Sequence, residues 1–374
     1  MANQSIKCIG KENCTGCFAC SNVCNVKAVN MKLSDEGFYV PEIDESICSD
    51  CGACKDVCPV FNYKTNNYNS NKIDVYAAYS TSDNIRLQSS SGGIFSEIGR
   101  HIISQGGIVY GARWDSSLNV IHEGIDNPQD LEKLRSSKYV QSKLDDSYRK
   151  ILKNLENNRK VLFTGTPCQV AALKNFTDSE NLFTIDVVCH GIPSKVVFEE
   201  YLKYISSGNA VINYNFRDKS LGWSKYMVKA EFKNGSYQCI TRQDPFFHGF
   251  ICDLYSNLPC YSCSFSKLPR PGDITLGDFW GISKDIMDER GISLVLANNE
   301  KGKLLLKELQ RSDSVTLIPK TLEEAVKGNP RVYNGYLNKR KNRAEILKNI
   351  RKSGFKAIYY SFIKDTDRYK PDYE

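Results

Sequence analysis

The chain has 374 residues, a formal net charge of +7 and 15 cysteines, and its hydrophobic content of 41% and charged content of 25% are ordinary for a globular protein of two or three domains. No apolar run approaches the roughly 18 residues that a membrane helix needs, and the first residues lack the apolar segment of a signal peptide. So many cysteines without a secretion signal predict reduced thiols in the cytoplasm that serve as metal ligands.

Two copies of one cysteine run lie in residues 1–62, with the spacing C-x2-C-x2-C-x3-C. The first copy is Cys14, Cys17, Cys20 and Cys24, and the second is Cys48, Cys51, Cys54 and Cys58. In this arrangement, typical of bacterial ferredoxins, three thiolates of a run bind one cubane and the fourth crosses to the other. The spacing therefore predicts one 4Fe-4S cluster on Cys14, Cys17, Cys20 and Cys58, and a second on Cys48, Cys51, Cys54 and Cys24.

Zinc is the main competing interpretation of these runs. It favours paired cysteines that make one tetrahedron, and a third cysteine in each run exceeds that need. A disulfide framework would instead predict a secreted chain. The repeat therefore favours iron–sulfur clusters and electron transfer.

The elements that follow divide the chain into five segments. Residues 31–44 alternate apolar and polar side chains around Asp35, Glu36 and Gly37, which predicts a hairpin inside a ferredoxin-type domain over residues 1–62. Residues 63–74, rich in Asn, Lys and Tyr, are typical of a linker. Residues 75–150 and 151–330 form the two parts of one core, and residues 331–374 form a basic helical tail, either solvated or docked.

The core alternates short apolar strands with amphipathic helices. VLFTG and LFTIDVVC are each followed by a loop and a helix, which predicts a partly parallel α/β layer. The fold class is therefore α+β: a ferredoxin-like two-cluster domain followed by a mixed α/β core.

Four further cysteines suggest a third metal site. Cys168 and Cys189 follow consecutive strands, whose carboxyl ends gather ligands in parallel sheets, and Cys260 and Cys263 form a C-x2-C pair. A third 4Fe-4S cluster, a structural zinc site and ordinary buried cysteines all fit this pattern. Cys8, Cys239 and Cys252 have no partner spacing and are expected to be core or loop thiols.

Seven sequence runs, in order, resemble the family of coenzyme F420 hydrogenase/dehydrogenase beta subunits over residues 75–330. They are SSSGGIFSEIGRHIISQGGIVYGA, SSKYVQS, VLFTGTPCQVAALK, DVVCHGIPS, FRDKSLGW, CYSC and RPGDITLGDFWGI. The resemblance implies a bound FAD and a cluster in the core, for which the matching cysteines are Cys168, Cys189, Cys260 and Cys263. The resemblance therefore implies that the core is a flavin-binding domain.

Without a G-x-G-x-x-G run, a Rossmann nucleotide site is not supported. The better candidate is Ser90, Ser91, Gly92 and Gly93 before a helix, because free N–H groups and the positive helix terminus suit a pyrophosphate. An ordinary helix N-cap explains the same residues. Lys138 is a candidate to neutralise phosphate or stabilise reduced flavin, and Gly165, Thr166, Pro167, His190 and Gly191 flank the cluster cysteines. His190 is a weak candidate for proton transfer, and no catalytic side chain is assigned.

These features predict an iron–sulfur flavoprotein oxidoreductase. Electrons would pass between a two-electron substrate, FAD, the core cluster, the ferredoxin clusters and an external carrier protein or partner subunit. The substrate would be reduced coenzyme F420 or an organic molecule, with polysaccharide biosynthesis as one setting. The alternatives are an electron-transfer subunit that feeds a separate catalytic partner, and a structural zinc protein.

The basic net charge does not indicate a nucleic-acid partner. A cubane with four thiolates carries about −2, so two clusters lower +7 to roughly +3 and three lower it to roughly +1.

Overall fold

The computed structural model describes residues 5–63, 73–333 and 342–366. Most of the predicted linker (63–74) and two parts of the basic tail, 334–341 and 367–374, lie outside the described residues. Among the described residues, no helix is both long and apolar enough to cross a membrane.

The ferredoxin-like domain consists of two short helices and one hairpin. Their bounds are α1 (Ala19–Val23), β1 (Val29–Leu33), β2 (Tyr39–Ile43) and α2 (Ala53–Asp56). The predicted hairpin is confirmed, because β1 and β2 pair antiparallel with Val29 opposite Ile43. Its turn is closed by the Gly37 N–H, which donates to the Ser34 carbonyl at 2.9 Å. The positive φ of 83° at Gly37 favours glycine at this position.

The core is built on a mixed sheet of eight strands. The strands are β3 (Asp74–Ser80), β4 (Ile108–Trp114), β5 (Val120–Ile125), β6 (Val161–Gly165), β7 (Leu182–Val187), β11 (Ile274–Asp278), β12 (Ser293–Ala297) and β13 (Val315–Lys320). They lie in the order β13-β3-β12-β11-β7-β6-β4-β5. Strands β4, β6, β7 and β11 are parallel, whereas β5, β12 and β13 run antiparallel to their neighbours. Residues before and after position 150 therefore share one sheet, as the predicted α/β layer requires.

Helices cover both faces of this sheet. They are α3 (Asp83–Gln88), α4 (Ile94–Ser104), α5 (Ser147–Glu156), α6 (Pro167–Lys174), α9 (Glu300–Arg311) and α10 (Leu322–Gly328). Leu162 of β6 packs in one apolar cluster with α4 and α9, while its neighbours Val161 and Phe163 pack in another with α5 and α6. This alternation is the two-residue period of a strand buried on both faces.

A second subdomain extends from the core. It contains α7 (Lys195–Ser206), β8 (Val211–Asp218), β9 (Met227–Phe232), β10 (Gly235–Ile240), α8 (Pro245–Ile251) and α11 (Arg343–Ile358). Strands β8 to β10 form an antiparallel sheet, and buried aromatic side chains from these elements form one cluster. Helix α11 contributes Ile346, Ile350 and Phe355 to this cluster, so the described part of the tail is docked. Strands β5 and β8 were not predicted from the sequence.

The ferredoxin-like domain is fixed to the core by buried hydrogen bonds. The Arg149 guanidinium donates to the carbonyls of Ser21 and Cys24 at 3.2 and 2.6 Å. The Gln141 amide accepts from the Tyr39 N–H at 3.0 Å and donates towards the Thr15 carbonyl at 3.4 Å. Several independent contacts therefore hold the cysteine-bearing loops against the core.

Candidate functional site

A cavity of about 280 Å³ opens at the carboxyl edge of the parallel strands. Gly165 ends β6, Val187 ends β7 and Asp278 ends β11, and all three line this cavity together with the start of α4. Ligands of open α/β sheets collect at this edge. The cavity is therefore the candidate site.

Most of the predicted flavin-site residues lie in the cavity wall. These are Ser90, Ser91, Gly93, Lys138, Gly165, Thr166, His190 and Gly191. The other two residues, Gly92 and Pro167, do not line it. Gly92 lies behind the wall, where its N–H donates to the Ser293 hydroxyl at 2.9 Å, and Pro167 is buried at the start of α6. The structure thus gathers residues from four separate sequence runs around one space.

Residues 89–93 form a loop that is held from several sides. The Ser90 hydroxyl accepts from the Ser137 N–H at 2.9 Å, and the Ser91 hydroxyl donates to the Ile292 carbonyl at 2.7 Å. The Arg217 guanidinium and the Lys219 ammonium donate to the Ser90 and Ser91 carbonyls, both at 3.0 Å. The loop leads into α4, whose first N–H groups have no acceptor within the helix. This arrangement suits an anionic group.

Lys138 is less available for a phosphate than the sequence suggests. Its ammonium donates to the carbonyls of Arg135 and Ser136 at 2.6 and 3.1 Å. Burial lowers the pKa of Lys138 to about 7. One of its three donors is left for a molecule in the cavity.

Two histidines line the cavity, and burial keeps both neutral. It lowers the pKa of His190 to about 3 and that of His122 to about 4. His122 stacks on Phe163, and its Nε2 lies 3.0 Å from the Thr164 carbonyl, which assigns the ring proton to Nε2. The sequence interpretation missed His122, because it lies on β5, a strand with no clear pattern.

A buried ion pair that the sequence interpretation also missed supports the wall. Asp278 accepts from two Arg217 nitrogens, each at 2.8 Å, and from the Trp223 indole at 2.7 Å. Trp223 stacks on Trp280 with ring centroids 4.6 Å apart, and Trp280 lines the cavity. The runs FRDKSLGW and RPGDITLGDFWGI carried these residues, but their spacing indicated no role for them.

The first thiol group consists of Cys14, Cys17, Cys20 and Cys58. Burial raises the pKa of Cys17 to about 12 and that of Cys14 to about 11, and the Cys58 thiol contributes to both shifts. Cys58 also raises the pKa of Cys20. The structure thus brings the distant Cys58 to the three thiols of the first run.

The second thiol group is the predicted set Cys24, Cys48, Cys51 and Cys54, of which Cys51 and Cys54 lie close together, and it lies nearer the surface. Cys54 is buried, Cys24 and Cys48 are half-buried, and Cys51 is exposed. Burial raises the pKa of Cys54, and the Cys51 thiol contributes. Cys54 contributes in turn to the raised pKa of Cys20, which places the second group next to the first.

The third thiol group consists of Cys168 in α6, Cys189 after β7, and Cys260 and Cys263 in a turn. Burial raises the pKa of Cys168, and the Cys263 and Cys189 thiols contribute. Burial likewise raises the pKa of Cys260, with the same two neighbours contributing. Cys189 also lines the cavity. The structure therefore gathers these four thiols, with Cys189 at the cavity wall.

The remaining cysteines lie outside these groups, although the Cys8 thiol contributes to the raised pKa of Cys58. Cys252 is buried, Cys239 is half-buried on β10, and Cys8 is exposed with its thiol 3.3 Å from the Ser5 carbonyl. Over residues 5–63, 73–333 and 342–366, no three His, Cys, Asp or Glu side chains are arranged as ligands of a single metal ion.

The thiol groups follow one another from the surface to the cavity. Cys17 of the first group contributes to the raised pKa of Cys168 of the third. The order is therefore second group, first group, third group and cavity.

Comparisons with known proteins agree with this layout. Residues 158–322 match the family model for the C terminus of the beta subunit of coenzyme F420 hydrogenase/dehydrogenase. Residues 13–62 match the model of a 4Fe-4S dicluster domain. The first match covers the third thiol group and the side of the cavity that carries Cys189, whereas residues 89–93 and Lys138 lie outside both matches.

Individual relatives are more distant. The chain is 23% identical over 273 residues to the F subunit of F(420)H(2) dehydrogenase from Methanosarcina mazei, a match that covers 67% of this chain and 71% of the relative. Among solved structures it is similar to a chain of the F420-reducing [NiFe] hydrogenase complex from Methanosarcina barkeri. That similarity has 18% identity and a TM-score of 0.49, and covers 71% of this chain and 87% of the other.

Proposed function

We propose that the chain is a flavin-dependent oxidoreductase. Residues 158–322 match the beta-subunit model of coenzyme F420 hydrogenase/dehydrogenase and follow a 4Fe-4S dicluster domain, so the chain is an iron–sulfur redox protein. Its cavity binds FAD and a two-electron substrate, either reduced coenzyme F420 or an organic molecule. The observation that carries the proposal is that Cys189 belongs both to the third thiol group and to the cavity wall.

The residues present fit the proposed groups. The loop of residues 89–93 and the start of α4 offer hydroxyl and N–H donors for a pyrophosphate. Thr164 Oγ1 and His122 Nδ1 are buried without a hydrogen-bond partner beside the same cavity, and buried polar groups normally have one. A flavin would supply conversion between two-electron and one-electron transfer, and clusters on the three thiol groups would supply one-electron transfer.

The chain's own residues prepare this site. Burial of the third thiol group disfavours ionisation of its thiols when no metal is bound. Bound iron would stabilise the thiolates. The Arg217–Asp278 pair fixes the Ser90 carbonyl and the Trp223–Trp280 stack, which keeps the cavity wall rigid.

The setting forms part of the same proposal. An electron-carrier protein or partner subunit receives or supplies electrons at the second thiol group, where Cys51 is exposed. None of the 15 cysteines, all within the described residues, forms a disulfide, and reduced cysteines in this number suit the reducing cytoplasm.

Anaerobic reduction tests the proposal. Protein reconstituted with iron, sulfide and FAD is mixed with reduced coenzyme F420, and the absorbance of flavin and clusters is followed. We expect the flavin to bind and the clusters to bleach. Bound flavin without bleaching by this donor would remove coenzyme F420 as the substrate.

A result with no bound flavin would favour the alternative, an electron-transfer subunit that feeds a separate catalytic partner. The variant Lys138→Met tests the cavity in the same assay, because it removes a donor from the wall and should weaken flavin binding. Lys153→Met is the matched control, since Lys153 is exposed on α5.

A further inference from the structure

Two buried side chains connect the first and third thiol groups. Tyr148 of α5 is fully buried, and its hydroxyl lies 3.1 Å from the Cys17 carbonyl and 3.1 Å from the Gln169 carbonyl. Cys17 belongs to the first thiol group, and Gln169 directly follows Cys168 of the third. One phenol therefore contacts the backbone at a cysteine of the first group and at the residue next to a cysteine of the third.

The second connection is made by Asn257. Its amide nitrogen donates to the Cys14 carbonyl at 3.3 Å, and its amide oxygen accepts from the Leu258 N–H at 3.0 Å. Leu258 begins the turn that carries Cys260 and leads to Cys263. Asn257 therefore joins the other end of the third thiol group to the first.

The position of the Tyr148 hydroxyl is fixed by packing. Its ring contacts Phe163 and Phe176, with centroid separations of 5.9 and 5.5 Å. A phenol has one proton and can donate to one carbonyl at a time or share it between two. The two ligand-bearing backbones are thus held on either side of a single hydroxyl.

We propose that Tyr148 and Asn257 are positioning residues for electron transfer between the first and third thiol groups. They fix the local arrangement of the two ligand-bearing backbones, and Tyr148 supplies the hydrogen-bonded connection between them. The inference rests on the proposed function, because it requires a cluster at each group.

Attachment of the ferredoxin-like domain does not explain these contacts. Arg149 donates to the carbonyls of Ser21 and Cys24 and Gln141 binds Tyr39, so the domain stays fixed without the Tyr148 hydroxyl. Removing that hydroxyl should change the local arrangement of the Cys17 and Gln169 backbones and leave the ferredoxin-like domain in place.

The experiment uses anaerobic holoprotein of the wild type, Tyr148→Phe and Tyr110→Phe. Tyr110 is a matched control, because it is buried in the same apolar cluster but its hydroxyl accepts from Asn154. Iron is counted for each protein, and the magnetic coupling between reduced clusters is measured by electron paramagnetic resonance. We expect Tyr148→Phe to keep its iron and lose coupling, whereas Tyr110→Phe matches the wild type.

Full iron with wild-type coupling in Tyr148→Phe would overturn the inference and leave the proposed function standing. A wild type with about eight irons instead of about twelve would also overturn the inference, and about eight irons with no flavin would overturn the proposed function as well. If Tyr148→Phe does not fold, Asn257→Ser provides the second test. Serine can still cap the turn but no longer donates to Cys14, so reduced coupling is again expected and unchanged coupling contradicts the inference.

Discussion

The ferredoxin end and the cavity end of the molecule both carry groups of cysteine thiols, but they place their charges differently. At the ferredoxin end, Lys32 and Glu42 form an ion pair in which both side chains are about two-thirds exposed, at 64% and 65%. Beside the third thiol group, the Arg270 and Asp186 side chains are fully buried. Asp186 also accepts from the Gly272 N–H at 2.7 Å and the Thr275 hydroxyl at 3.0 Å.

This difference indicates which end depends on its metal. The ferredoxin-like domain has a two-stranded sheet and two short helices, so bound clusters must supply much of its stability. The third thiol group is attached to an eight-stranded sheet and to a paired charge network. The core should therefore persist without iron.

Removal of iron should separate the stabilities of the two ends more than any other change. Chelation under anaerobic conditions should unfold residues 13–62, because their thiols lose the metal that joins them. Strands β6 and β7, with Val161, Leu162 and Ile185 fully buried, should keep their amide protection. Hydrogen exchange followed by mass spectrometry measures both regions. Equal loss of protection in both would contradict the expectation that the core persists without iron.

Arg270→Met should destabilise the core by about 3–5 kcal/mol, since it leaves the buried Asp186 carboxylate without its partner. Lys32→Met is the matched control at the ferredoxin end, where an exposed pair contributes at most about 1 kcal/mol. Chemical unfolding of the holoproteins measures the two free energies. Similar losses in both variants would show that burial of the pair does not matter.

The contributions of two aspartates, one buried and one exposed, to the free energy of unfolding change with pH in opposite directions. Burial raises the pKa of Asp244 to about 6, although Tyr201 and Tyr237 donate to it. Its favourable contribution is therefore present below about pH 4 and lost as pH rises through about 6, a change of up to about 3 kcal/mol. Hydrogen bonds from Ser46 lower the pKa of the exposed Asp44, so its contribution is instead lost as pH falls.

The variant Asp244→Asn should flatten the pH dependence of the free energy of unfolding between about pH 4 and 7. Asp44→Asn should leave that interval unchanged. Thermal unfolding across this range checks both, and a wild-type slope in Asp244→Asn would contradict the assigned pKa.

The sequence predicted local features well and distant ones incompletely. The cysteine spacing and the alternation around Gly37 depend on neighbours in the chain, and the hairpin and most core strands followed from such patterns. Strand β5 has a glycine and two polar residues in six positions, so its pattern was weak and His122 stayed hidden. Arg217 and Asp278 are 61 residues apart, and only the folded chain pairs them.

The iron and flavin content of anaerobically purified protein shows whether the three thiol groups and the cavity hold redox centres. Three thiol groups and one cavity predict about twelve irons and one flavin per chain. About eight irons with no flavin would contradict the account, because the third thiol group and the cavity would then hold no redox centre.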